Sequence, residues 1–298
     1  MNTKRLMSIL SICIGLLASQ TAIARTLVIG TISDEPVKEI RTFLPFTKYL
    51  AQQLEPMGFS DGKVVIARDI DHMASLIRSG QIDLFVDSPL VALAINKKAG
   101  SRLLVTRWKK GVAEYHSVIF VRQKSGIASV SDLVGRVVTF EESFSSSGHL
   151  LPRIAMAEMG IQFSQMDSPQ SRLAPDETGF VFSGDDENTI EWVLRGRTDA
   201  GAMSMDNFKK RVGPNKDELT IILRTDAIPR HVISISSEIT NQLAGEIETA
   251  LVTMNQSEDG LAVLGAFERT TKFDAFSKEI LVTLERLQDP VTDLVGND

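Results

Sequence analysis

Cysteine is almost missing from this chain of 298 residues: Cys13 is the only one, and it falls in the N-terminal segment. Residues 1–24, "MNTKRLMSILSICIGLLASQTAIA", read as a secretory signal peptide. Lys4 and Arg5 supply the basic start, Leu6 to Ala18 the apolar stretch, and Ala22-Ile23-Ala24 the small-x-small end, with cleavage expected after Ala24. Ile12 stands before Cys13 where a lipid-attachment signal wants a small residue, so a lipoprotein is not expected. Removal of the leader leaves no cysteine, which excludes disulfides, thiolate metal ligands and a cysteine nucleophile. A chain of this size can bury a core without them.

Other absences narrow the function. No later apolar run is long enough to span a membrane. The net charge is −6, and −8 once Lys4 and Arg5 leave with the signal, which disfavours nucleic acid and anionic membranes as partners. The four histidines, His72, His116, His149 and His231, have no HExxH-like spacing, and no metal site is expected. Neither a G-x-x-x-x-G-K-[ST] phosphate loop nor a G-x-S-x-G nucleophile elbow is present, so a serine-dependent hydrolase has nothing pointing to it and no cofactor is implied. Internal repeats and low-complexity linkers are missing as well.

What is present alternates. Strand-like runs stand at 26–32, 63–69, 83–86, 102–108, 116–122, 136–140, 180–182, 199–203, 220–224 and 231–236. Helical patterns lie between them: 37–54, where Pro45 is expected to kink or restart the helix; 72–80; 88–100, with Ser88 as cap, Pro89 at the first position and Gly100 at the end; 187–196; and 206–211. "SVSDLVG" (129–135) reads as a capped turn, 163–179 as a loop, and the tail from Ser237 as mostly helical. Strands alternating with helices predict α/β sheets that are largely parallel.

Ligands in parallel α/β sheets sit at the carboxyl ends of strands. After "RVVTF" comes "EESFSSSGHLLP" (141–152). Pro152 fits the first turn of a helix, which places the start near Gly148 or His149 and sets Ser145, Ser146 and Ser147 just ahead of it. Hydroxyls, free amides and the positive helix end converge there, as an oxyanion site requires; an ordinary capped loop would look the same locally. "SGDDEN" (183–188) puts Asp185, Asp186 and Glu187 at another helix start, where capping is the simplest role, and Asp206 could cap 206–211. Tyr115 begins a strand at a position suited to a crossover between lobes.

In order and spacing, "SGQIDLFVDSPL" (79–90), "YHSVIFVR" (115–122), "SVSDLVGRVVTFEESFSSSGHLLPRIAMAEMGI" (129–161), "GRTDAGAM" (196–203) and "AIPRHVIS" (227–234) resemble the phosphate/phosphite/phosphonate-binding periplasmic proteins of ABC transporters. The resemblance implies a type II periplasmic binding protein: two α/β lobes joined by two crossover strands, with residues 25–115 and 226–298 in lobe 1 and 116–225 in lobe 2. It implies a monomer in the periplasm that encloses a small oxyanion or zwitterion and is read by an ABC permease or, alternatively, by the periplasmic domain of a sensor kinase. Ser145, Ser146, Ser147 and Gly148 match the family's oxyanion motif, Tyr115 a cleft tyrosine, and Asp206 an acid facing a ligand amine. This chain departs from the pattern where His149 replaces a tyrosine, Asp186 a histidine and His231 an acid, and where Ser88-Pro89-Leu90-Val91-Ala92 lacks a glycine and a tyrosine. A carboxylate about 4 Å from an oxyanion would repel it by roughly 4 kcal/mol at an effective dielectric near 20. A protonated His231 would compensate.

Overall fold

The computed structural model describes residues 25–297; the proposed signal peptide lies outside them. The chain starts with β1 (Arg25–Ile32), α1 (Pro36–Gln53), β2 (Phe59–Ala67), α2 (Ile70–Arg78), β3 (Leu84–Asp87), α3 (Pro89–Ala99) and β4 (Arg102–Arg107). It crosses through β5 (Glu114–Tyr115) and builds β6 (Ser117–Arg122), β7 (Val137–Phe140), α4 (Leu151–Glu158), β8 (Phe163–Gln165), β9 (Thr178–Phe182), α5 (Asp186–Leu194), β10 (Ala200–Ser204), α6 (Met205–Arg211) and β11 (Leu219–Arg224). It returns through β12 (Ile228–Pro229) and ends with β13 (His231–Ile235), α7 (Asn241–Val252), α8 (Glu258–Ala266), β14 (Phe273–Asp274) and α9 (Lys278–Asn297).

Two six-stranded sheets result, ordered β14-β4-β13-β3-β1-β2 and β11-β6-β10-β7-β9-β8. Each is the floor of one α/β lobe. The expectation of largely parallel sheets holds for only part of each. β1 pairs in parallel with β2 and β3, and β7 with β9 and β10. β13 runs antiparallel to β3 and β4, and β6 antiparallel to β10 and β11. The reversed strands β6 and β13 are those the chain enters straight from a crossover, so no helix turns them parallel to their neighbours. The crossovers pair with each other, Tyr115 opposite Ile228 and Glu114 opposite Pro229.

Local chemistry explains most elements. α3 carries Pro89 at its start and ends at Gly100 in the left-handed region, φ 72°, which glycine adopts at no steric cost. α1 runs unbroken through Pro45, against the predicted kink or restart. Pro45 and Arg41 are both exposed, so water can take the Arg41 carbonyl that the proline leaves without a donor. The supposed loop 163–179 contains β8, a three-residue edge strand paired in parallel with β9.

Both faces of the first sheet are covered. Phe43, Phe46, Ile247 and Leu264 build the core under α1, α7 and α8, and Met73, Leu93, Leu284 and Val291 the core under α2, α3 and α9. Leu150, Leu151 and Ile154, from the second lobe, join the latter cluster. Among the described residues, no helix is long and apolar enough to cross a membrane.

Candidate functional site

β7 ends at Phe140, and the chain turns through Glu141–Ser145 into a helix whose first five residues, Ser146–Leu150, are π-wound before α4 begins. The start is thus two residues earlier than Pro152 suggested. The amides of His149 and Leu150 both donate to the Ser145 carbonyl at 3.0 Å, which is what widens the turn. Ser145 Oγ accepts from the Gly148 amide at 3.0 Å and donates to Glu141 Oε2 at 2.6 Å. A Cβ on Gly148 would stand 2.6 Å from both Glu141 Cβ and Oε2, so the loop closes only with glycine there. The Ser146 and Ser147 amides and the Ser147 hydroxyl donate to no protein group among the described residues. Three donors are therefore left at the positive end of the helix, the arrangement that binds anions.

The loop also touches the first lobe. Ser146, only 3% exposed, donates from Oγ to Ser88 Oγ at 2.8 Å, and Ser88 Oγ donates to Asp87 Oδ1 at 3.2 Å. The Tyr115 hydroxyl is buried beneath the cleft, and that burial pushes it up to about 12. Ser88 occupies the N-cap position of α3, yet its side chain makes no cap bond, because it is turned towards Asp87 and Ser146.

Carboxylates crowd the same place. Asp185, not Asp186, caps α5, accepting the Asn188 amide at 2.7 Å. Asp186 is freed and points inward, 3% exposed. Its Oδ2 accepts from Asn207 Nδ2 at 2.7 Å and is ion-paired with Arg211 at 3.2 Å, while its Oδ1 is buried without a partner. Desolvation raises Asp186 above the usual carboxylate range, and Arg211 only partly opposes this. Desolvation, with the neighbouring Asp186 charge, pushes Glu141 up to about 7, and desolvation takes Asp87 to about 6. A carboxyl near 7 is partly protonated at neutral pH and can donate as well as accept.

The profile described as "ABC transporter, phosphonate, periplasmic substrate-binding protein" matches residues 29–280. The chain belongs to this family. Members of this family are described as periplasmic substrate-binding proteins of ABC transporters. Among solved structures it is similar to XAC2383 from Xanthomonas citri bound to chloride ion, 24% identical with a TM-score of 0.85 over 92% of this chain and 99% of that one. A second structure of XAC2383 is bound to ATP. PhnD1 from Prochlorococcus marinus in complex with methylphosphonate is 18% identical, with a TM-score of 0.61 over 89% and 98% of the two chains. At these identities the likeness is one of fold. A stretch of 123 residues is 28% identical to the tetrathionate sensor histidine kinase TtrS of Salmonella typhimurium, 40% of this chain and 20% of the kinase. The chain therefore spans about a fifth of that curated relative.

Within this family member the anticipated residues divide. Ser145, Ser146, Ser147, Gly148, Ser88 and Tyr115 come together, with Asp186 behind the loop. His149 does not face the cleft. It is fully buried, packed against Phe140, Phe180 and Phe182, with Nδ1 2.8 Å from the Ser143 carbonyl and Nε2 3.2 Å from Arg153. Burial, reinforced by Arg153, lowers it to about 4, so it is a neutral core residue. His231 cannot serve as a compensating cation: burial and then Lys109, Arg107 and Arg230 hold it well below its ordinary value. Asp206 is exposed on α6 and makes no hydrogen bond or ion pair among the described residues; its neighbour Asn207 is the one that reaches Asp186. Glu141, Asp87, Asn207 and Arg211 were missed by sequence reasoning. Glu141 lay inside the serine motif itself, and the i, i+4 spacing of Asn207 and Arg211 on α6 marks one helix face. Among the described residues, no group of three or more His, Cys, Asp or Glu side chains could hold a metal ion.

Proposed function

We propose that the chain is a non-catalytic capture protein for a small zwitterion carrying a phosphonate-like oxyanion. The oxyanion lies on the Ser146 and Ser147 amides and the Ser147 hydroxyl, with Ser145 and Gly148 shaping the loop and Tyr115 and Ser88 packing against the ligand. The cationic group faces Asp186 and Glu141, which take the role the family resemblance gave to Asp206. One observation carries this reading: the buried, unpartnered Asp186 Oδ1 beside unpartnered anion donors. A simple oxyanion would meet repulsion from Asp186, whereas a zwitterion satisfies both ends.

In this reading residues 25–115 with 226–298 and residues 116–225 are the two lobes, closing about the paired crossovers. The signal peptide is removed on export, the mature protein is a monomer in the periplasm without a cofactor, and an ABC permease reads the closed form. The similarity to TtrS favours a second recipient, the periplasmic domain of a sensor kinase. Thermal unfolding with methylphosphonate and with aminoethylphosphonate tests the ligand class. A ligand at a hundred times its Kd adds about 2.7 kcal/mol of stability. The amine-bearing compound is expected to stabilise more at equal concentration; stabilisation by methylphosphonate alone would remove the cationic end from the proposal.

A further inference from the structure

Pro152 leaves a gap in the winding of the helix that carries the anion donors. The Leu151 amide donates to the Ser146 carbonyl, five residues back. The same step from Ser147 arrives at Pro152, whose nitrogen carries no hydrogen. A donor from outside the helix reaches this carbonyl: Ser117 Oγ donates to the Ser147 carbonyl at 2.8 Å. Ser117 is fully buried and is the first residue of β6, just after the outgoing crossover ends at Tyr115. It is fixed in turn by Thr225, where the chain leaves β11 for the return crossover. The Ser117 amide donates to Thr225 Oγ1 at 2.9 Å, and the Thr225 amide donates to the Ser117 carbonyl at 3.0 Å. Thr225 Oγ1 itself donates to the Asp226 carbonyl at 2.9 Å. The points at which both crossovers meet the second lobe are thus clamped to each other, and the clamp reaches the serine loop through one hydroxyl. The acidic end of the site is held separately, by main chain. The Met205 amide donates to the His116 carbonyl at 3.0 Å, and Ser204 caps the helix that presents Asn207 to Asp186.

We propose that Ser117 and Thr225 are positioning residues for oxyanion binding. They tie the two crossovers to the Ser147 carbonyl, so that rotation of the lobes and alignment of the Ser146 and Ser147 donors are a single event. This rests on the serine loop being the oxyanion site. The hydroxyls of Ser117 and Thr225 are already given to carbonyls, so neither serves the ligand directly. Fixing the Ser147 carbonyl fixes the peptide plane that leaves Ser147 and limits how its amide and hydroxyl can turn. Donors held in this way bind without first being ordered.

Calorimetry with aminoethylphosphonate and methylphosphonate, which share the oxyanion and differ in the amine, tests this tie. Ser117→Ala is expected to weaken both compounds by about three- to tenfold, the weight of one hydrogen bond. Thr225→Val should weaken both by a similar factor, and Thr225→Ser, which keeps the hydroxyl, by less than about twofold. The double variant Ser117→Ala/Thr225→Val should lose no more than Ser117→Ala alone, because the two residues act through one contact. In the free protein, amide exchange at Gly148 and His149 should quicken in Thr225→Val as in Ser117→Ala, although Thr225 hydrogen-bonds no residue of the serine loop among the described residues. Losses that multiply in the double variant, or equal losses in Thr225→Ser and Thr225→Val, overturn the tie and leave the functional reading standing. So do a loss confined to aminoethylphosphonate and an unchanged exchange at the loop. Failure of the parent protein to bind either compound overturns both.

Discussion

Glu141 is a carboxyl held at about 7 by desolvation and by Asp186 beside it, and that shift has a sign. The folded state keeps the Glu141 proton more tightly than the unfolded chain, whose carboxyl titrates near 4.5. The stability it contributes is fully present below about pH 4.5 and is lost as pH rises through about 7. A shift of this size corresponds to at most about 3 kcal/mol. Asp87, at about 6, and Asp186 shift in the same direction, so the wild-type protein should lose stability steadily from mildly acidic to neutral pH. Glu141→Gln should flatten the upper part of that slope, above about pH 6, and leave the part below it that Asp87 contributes. Urea unfolding at about pH 5, 6.5 and 8 measures it; identical slopes for parent and variant would show that the Glu141 shift has no thermodynamic weight.

At the scale of the element, the helix beginning at Ser146 does two jobs on opposite faces. Its first residues offer free donors to the cleft, and its His149 face anchors the loop to the core of the second lobe. His149 Nδ1 holds the Ser143 carbonyl at 2.8 Å and the ring fills space among Phe140, Phe180 and Phe182. His149→Ala should cost about 2–4 kcal/mol, as other large-to-small core changes do. Ser147→Ala, whose hydroxyl bonds no protein group, should lower apo stability by no more than about 0.5 kcal/mol while weakening oxyanion binding. Denaturant unfolding and calorimetry on both variants separate the roles; a negligible loss in His149→Ala would place the histidine at the surface of the site after all. This element also shows what could be read beforehand. Caps, prolines and glycines are local, so α3, the serine loop and most strands were legible. The inward turn of His149 follows from its i, i+3, i+7 alignment with the buried Pro152 and Met156, a pattern the sequence contains and the family comparison obscured. β8 escaped because three edge residues carry no period. The antiparallel half of each sheet escaped because strand direction there depends on where the chain re-enters a lobe. Glu141, Asn207 and Arg211 gain their roles only from partners far along the chain.

For the whole molecule, the polar contacts seen to join the lobes among the described residues are individually weak. Ser146 donates to Ser88 across the cleft, the apolar residues Leu150, Leu151 and Ile154 pack into the first lobe's cluster, and Arg286 of α9 ties the edges together. Arg286 pairs with Asp226 on the return crossover at 2.8 Å and with Glu158 at the end of α4 at 3.6 Å, all three being solvent-exposed. A neutral hydrogen bond is worth about 1 kcal/mol net and an exposed ion pair about 0–1 kcal/mol. Contacts of that size bias an opening equilibrium without locking it, as a protein that must release its cargo requires. A ligand that binds only the closed form pays for closure in proportion to how rarely that form is populated. Arg286 bonds none of the residues assigned to the ligand, so Arg286→Ala can act on affinity only through the lobes. We expect affinity for aminoethylphosphonate to fall by about two- to fivefold, apo stability to change by less than about 0.5 kcal/mol, and the radius of gyration of the free protein from small-angle scattering to increase. Unchanged affinity together with unchanged scattering would mean that closure is set by the crossovers and the apolar seam alone, with the Arg286 pairs contributing nothing to it.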